Sequence, residues 1–304
     1  MTVAIVGCWL LSANQYRRLG NDIAAGAGFV LNLWFYATLS DRTQTPDFLV
    51  THLWTLGIQE QFYIFWPMLL WLTWRFAKQW FALAIAALSV LSLASFVSTS
   101  AANPSAAWLM PWNRLWELAL GGALAYILLV RSMNPAKPST GNAALFYSFG
   151  TIPSRALLGG LGALCLSLSI LGLVPPSWPP IYPVLMALST AMLIYAGPQC
   201  WFNRCVLSAR PMVFIGLLSY PLYLWHVSLF VLLPILLGQM RMSEFQNVPP
   251  SMKISATAVS LALSFITYKY LELPIQAISR TKLVAGLLCA AMASTGAVVF
   301  LASR

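Results

Sequence analysis

The chain has 304 residues, 60% of them hydrophobic and only 8% charged, where a soluble domain carries about 25% charged residues. Thirteen Trp, sixteen Phe and a mean hydropathy of +0.76 leave too little polar surface to cover a globule in water, so the composition excludes an ordinary soluble domain. The net charge of +10 comes from basic residues placed singly or in pairs. They read as determinants of membrane topology, not as a nucleic-acid surface.

A span needs about 20 apolar residues, and hydropathy with its breakers places spans, in order, near 21–37, 57–74, 79–97, 113–130, 156–174, 179–197, 211–237, 252–270 and 283–302, with a partial one at 1–12. The expected fold is all-α: a polytopic transmembrane bundle of about nine spans plus an N-terminal stub, forming one domain over 1–304. The segment 21–37 is the weak member, being short and holding Asn21, Asp22 and Asn32. Basic loops alternate with acidic, mixed or uncharged ones. By the positive-inside rule the loops starting near 12, 75, 131, 198 and 269 are cytoplasmic. The opening run Met1 to Ser12 has no basic region before it and no clear cleavage site after it, so it is not read as a signal peptide. The five cysteines show no zinc spacing and are expected to be free thiols; no metal is expected.

An ionisable group inside a span costs a few kcal/mol at least, unless it is paired or hydrated, so each is a functional candidate. The densest cluster runs from Thr51 to Tyr63 at the outer mouth of the 57–74 helix. Glu60 and Tyr63 are three residues apart and share a helical face, with His52 about two turns earlier. They can build a polar pocket, or simply form an interfacial belt in which Tyr63 satisfies Glu60. Arg114 and Glu117 are again three apart and opposite in sign. They can engage a ligand or serve as an ion pair between helices. Tyr220, Tyr223 and His226 form a slanted stripe, with Pro221 between them. The histidine can move protons or act as hydrogen-bonded glue. Glu272, three after Lys269 and two before Pro274, reads as a paired structural cap where the proline stops the helix.

The order and wording of these clusters resemble the acyltransferase-3 family of multipass bacterial membrane O-acyltransferases. The segment His52 to Tyr63 is similar to its His-x-Trp-Ser-Leu-x-x-Glu-x-Gln-Phe-Tyr pattern, Arg114-Leu115-Trp116-Glu117 to its Arg-x-Trp-Glu element, Ile215 to His226 to its Gly-x-x-Ser-Tyr-x-x-Tyr-Leu-Trp-His element, and Leu271 to Ile275 to its Val-Glu-Lys-Pro-Phe ending. Thr55 replaces the usual Ser and keeps a hydroxyl, Gln59 stands where many members have Glu, and Leu273 replaces Lys. Family members open with two further helices that carry an Arg, a catalytic His and an Arg-x-x-Arg element for acyl-coenzyme A. This chain's Tyr16-Arg17-Arg18-Leu19-Gly20 resembles the stretch just after the family's third helix. The expectation is therefore an N-terminally truncated form, inactive or nearly so alone, with a possible partner chain supplying the missing helices.

The resemblance implies transfer of an acyl group, expected to be acetyl, from acyl-CoA (acetyl-CoA) as donor substrate to a hydroxyl of a cell-surface carbohydrate such as lipopolysaccharide or peptidoglycan. The setting is the bacterial inner membrane, with membrane lipids and the carbohydrate acceptor as partners and no nucleic acid. On this reading His52, Glu60, Tyr63 and His226 are the candidate catalytic residues, with His52 or His226 standing in for the absent histidine. Arg114, Glu117, Tyr220 and Tyr223 are the candidate substrate-binding residues. The rival reading is a transporter or flippase of lipid-linked sugars that uses the same polar stripe as a pathway.

Overall fold

The computed structural model describes residues 2–39, 49–133, 152–173, 181–238, 249–277 and 281–302. The loop residues Asp41, Arg42, Asp47, Lys137, Arg241, Glu244 and Arg280, and the uncharged loop 175–180, lie outside them. Among the described residues every regular element is a helix: α1 (Thr2–Leu10), α2 (Ala13–Ala27), α3 (Leu31–Ala37), α4 (Trp54–Phe76), α5 (Phe81–Ala102), α6 (Pro104–Leu109), α7 (Pro111–Met133), α8 (Ile152–Ile170), α9 (Ile181–Ala196), α10 (Arg210–Leu236), α11 (Pro250–Thr267), α12 (Leu273–Gln276) and α13 (Thr281–Ala302). Short 3₁₀ turns precede α4 and α5, and π-turns occupy Asn203–Leu207 and Tyr268–Glu272.

Among the described residues, three helices are long and apolar enough to cross a membrane: Phe81–Ala102, Arg210–Leu236 and the run Pro250–Gln276. α4 and α7 have 23 residues each, but Gln59, Glu60 and Gln61 in one, and Arg114 and Glu117 in the other, lower their apolar character. Exposure is distributed inversely to that of a soluble protein. Ser92, Ser100, Ser169, Ser189, Ser228, Ser260 and Ser264 are buried, whereas Ile64, Phe65, Met68, Trp71 and Leu72 of α4 face outward. Small residues at helix contacts and large apolar ones outside are what lipid selects, because helices there associate through close packing.

The expected span 21–37 is not one helix. It is broken at Gly28, Phe29 and Val30, where Phe29 takes a φ of +55°, leaving α2 and α3 too short to span singly by the length a bilayer demands. The physical reason lies in the polar residues of this segment. Asp22 accepts the Trp34 indole N–H at 2.9 Å, and the Gln61 amide donates to Phe29 O and Asn32 Oδ1 at 2.8 and 3.0 Å. The bend lets these buried groups meet. A second correction concerns residues 98–113, expected as a loop: α5 continues to Ala102 and α6 begins right after Asn103, which caps the Ala106 N–H, with Pro104 at the helix start, where its missing N–H costs nothing.

The chain divides into two compact units, residues 1–61 with 214–304, and residues 62–213. In the first, α2 packs on α13, where Gly296 leaves room for Ala27: a Cβ at Gly296 would lie 2.9 Å from that of Ala27. Leu19, Leu49, Val50, Val231 and Leu232 form its core. In the second, α5 packs on α7 and α8 on α9, with Phe96, Ala107 and Trp116 buried together.

The α8–α9 contact depends on a missing side chain. A Cβ on Gly159 would sit 2.2 Å from the Cys200 sulfur and 3.0 Å from the Ala196 Cβ. Gly159→Ala is expected to destabilise the protein by about 1–3 kcal/mol through overpacking, and adding Cys200→Ala should restore part of the loss. Thermal unfolding of the purified protein in detergent checks both.

Candidate functional site

Residues 49–55 are gripped by α10 in the first unit. Val50 and Leu53 pack into the core beside Val231 and Leu232. Ser228 donates to the Leu49 carbonyl at 2.8 Å. Tyr223 donates its phenolic hydrogen to the His52 carbonyl and is itself hydrogen-bonded to the Thr55 hydroxyl, which also reaches His52 O at 3.2 Å. Tyr223 is thereby spent on the backbone of the turn.

The grip brings the two histidines together. The His52 and His226 rings lie edge to face with centroids 5.9 Å apart, and Tyr223 sits 5.3 Å from His52 and 5.9 Å from His226. His226 Nδ1 lies 3.0 Å from Leu222 O and 2.9 Å from Tyr223 O. Carbonyl oxygens only accept, so Nδ1 carries the proton and Nε2 the lone pair. Both ring nitrogens of His52 are buried without a well-formed hydrogen bond, although the Leu224 backbone lies within reach of the ring.

His52 precedes α4, and its burial, reinforced by His226, draws its pKa from 6.5 down to about 4, the Leu224 backbone opposing only in part. Desolvation penalises the imidazolium, so His52 is uncharged at neutral pH.

Tyr220, one turn before Tyr223, is within electrostatic reach of Glu60 and Glu272. Tyr63 is 58% exposed, belongs to the second unit, and packs edge-on against Phe62. The expected Lys269–Glu272 pairing is absent. The π-turn from Tyr268 to Glu272 puts an extra residue in the turn. Lys269 lies over the rings of Phe265 and Tyr270, while Gln276 donates to Glu272 Oε1 at 3.1 Å. Pro274 does not stop the helix, which continues to Gln276.

Arg114 and Glu117 lie in the second unit. Asn113, 1% exposed, accepts from Ser95 and donates to Ala106 O, and Ser92 donates to Trp112 O while accepting the Trp116 N–H. These bonds fix the first turn of α7. The Arg114 guanidinium stacks over Trp108 at 4.7 Å, and its Nη1 stands 2.9 Å from Glu117 Oε1. Arg114 and Glu117 also line a cavity of about 510 Å³ with residues of α8 and α9.

Thr55 and Ser228 also bond to this turn, and spacing and composition do not single them out. For Thr55 a signal exists, since a hydroxyl is kept where the family has Ser. For Ser228 there is none, because a serine in an apolar helix more often bonds its own backbone.

A family model described as an acyltransferase domain matches residues 5–269. The chain belongs to this acyltransferase family. It is similar to the peptidoglycan O-acetyltransferase OatA of Listeria monocytogenes, with 25% identity over 86% of this chain and 41% of that protein. It is also similar to a putative O-acetyltransferase of Staphylococcus aureus, 26% identical over 87% of this chain and 42% of the relative, and to the putative peptidoglycan O-acetyltransferase YrhL of Bacillus subtilis, 28% identical over 90% and 42%. The chain thus spans about two fifths of the length of these curated relatives. No solved structure matches.

The depressed His52 pKa makes stability depend on pH. The unfolded chain takes a proton at this residue near pH 6.5 and the folded one only near pH 4. The stabilisation is therefore complete above about pH 6.5 and is lost as the pH falls toward 4. His52→Gln, which cannot titrate, is expected to flatten the fall of Tm across that window relative to the parent protein in the same detergent.

Proposed function

We propose that the protein is a multipass membrane O-acyltransferase of the bacterial inner membrane, folded as a single helical domain, that transfers an acyl group, acetyl first among them, to a hydroxyl of a cell-surface carbohydrate such as peptidoglycan or lipopolysaccharide. Acyl-CoA is the donor substrate. Membership of the acyltransferase family and the names of its relatives support the reaction class. The observation that carries the reading is the facing pair His52 and His226, one with both nitrogens buried without a well-formed hydrogen bond and the other with its tautomer set by two carbonyls.

In this mechanism the acceptor hydroxyl loses its proton to His226 Nε2 as its oxygen attacks the thioester carbonyl. The carbon–sulfur bond then breaks, the new ester forms, and the released thiolate takes up a proton. The uncharged imidazole of His52, edge to face with His226, places no competing cation beside that base. Tyr223 and Thr55 hold His52 there. Tyr220, kept near Glu60 and Glu272, supplies a hydroxyl on the same face of α10.

His226→Gln is expected to lower turnover by about 10²–10⁴-fold, the usual worth of a general base. Thr55→Val should cost less, because it loosens a positioning contact only. The measurement is acyl-CoA consumption by membranes containing the protein, matched against ester-linked acyl groups on the carbohydrate. A stoichiometric match supports transfer. Carbohydrate movement without donor consumption would overturn it in favour of transport.

A further inference from the structure

The second unit carries an unbalanced charge. Residues 62–213 hold eight basic side chains and a single acidic one, Glu117, and Glu117 is taken by Arg114 at 2.9 Å. Any counter-charge for the other seven cations therefore comes from outside the unit.

Two of these cations meet the last turn of α9. From α8, the Arg155 guanidinium lies over the Tyr195 ring, 5.9 Å from its centroid. From the π-turn that follows α9, the Asn203 amide donates to Leu193 O and Gly197 O at 2.7 and 2.8 Å, which seats the adjoining Arg204 beside the same turn. Arg155 and Arg204 thus come to one end of the α8–α9 pair, although 49 positions separate them in the chain. Arg155 is half-buried: its Nε is enclosed, while its Nη atoms are neither enclosed nor hydrogen-bonded among the described residues. Arg204 is exposed, and its side chain makes no hydrogen bond or ion pair among the described residues. A guanidinium held over a ring keeps its N–H edge free for two parallel bonds to oxygen. A phosphate accepts in that geometry.

The surroundings choose among phosphates. Trp201, three residues before Arg204, is 70% exposed and packs against Phe202. Beyond Arg155, Leu157, Leu161 and Leu164 are exposed on α8, and their spacing of four and three puts them on one face over about 10 Å at 1.5 Å per residue. A soluble phosphate gains nothing from such a strip. Cations and an indole at one level, with leucines leading away from them, match the boundary between lipid headgroups and hydrocarbon. This is also the end that the positive-inside rule places in the cytoplasm, where anionic lipids attract basic side chains.

From this juxtaposition we infer that the end of the α8–α9 pair is a binding site for an anionic phospholipid, its phosphate on Arg155 and Arg204 and its acyl chains along the leucines of α8. The inference requires residence in a membrane and is independent of the reaction proposed above.

The test uses the purified protein in phosphatidylcholine nanodiscs containing a minor fraction of a phosphatidylglycerol probe, with a photoreactive diazirine near the glycerol end of one acyl chain. Labelled peptides are mapped by mass spectrometry. Label is expected on Tyr195–Leu207 and around Leu157, at least about fivefold above that from a phosphatidylcholine probe of the same build, the effect of about one cation at an anionic headgroup. Arg155→Lys separates a site from a merely positive surface: it keeps the charge, and with it the topology signal, but loses the planar fork. The preference is expected to fall to about twofold or less in that variant. Arg204→Gln should lower labelling about fivefold. Both substitutions leave the Gly159–Cys200 contact of the helix pair in place. Equal labelling by the two probes, an unchanged preference in Arg155→Lys, or undiminished labelling of Arg204→Gln would each overturn the site. So would displacement of the probe by coenzyme A or inorganic phosphate, which would show a site for a soluble phosphate.

Discussion

The candidate site depends on how α10 holds a turn that has little structure of its own. Residues 49–55 have a single 3₁₀ turn before α4 begins, and what fixes them is a set of contacts from one helix face: Ser228 to Leu49 O, Tyr223 to His52 O, and Val231 with Leu232 beneath Val50. Because Tyr223, His226 and Ser228 succeed one another along α10, the element that aims His52 is also the element that carries its partner imidazole. Position and chemistry are therefore set by one rigid body, which is how a reactive pair is kept from drifting apart.

Polarity is distributed in the same economical way across the molecule. In a hydrocarbon setting the backbone satisfies itself within helices, so side-chain polarity is left over for joints and for chemistry. Ser92, Ser95 and Asn113 build a joint at the start of α7, and Asp22, Trp34, Asn32 and Gln61 build one at the α2–α3 bend. Where polar atoms are paired away from such joints, as in the Arg114–Glu117 ion pair at 2.9 Å, charge meets charge and the net charge inside the bundle stays near zero.

Much of this is legible in the order of residues. Helical class follows from long apolar runs cut by Gly, Pro and charge, and the stripe Tyr220, Tyr223, His226 follows from spacing by three, with α10 extending past Pro221. The pairing of His52 with His226 is not legible from periodicity, since they are 174 positions apart and only tertiary packing joins them. The Lys269–Glu272 pairing fails because the spacing rule presumes α-winding, and the chain is wound otherwise there. The break within 21–37 leaves a visible trace, the sequence Gly-Ala-Gly-Phe before polar Asn32, but hydropathy averages it away.

The wide turn at Tyr268–Glu272 also makes chain length a determinant of facing. In an ordinary helix each residue advances about 100° around the axis, so one surplus residue swings everything beyond it by roughly a quarter of a circle or more. Gln276, bonded back to Glu272, owes its direction to that surplus and not to its own preferences. A single deletion between Thr267 and Leu273 would leave composition nearly untouched and still turn this end of the rod to a different compass bearing.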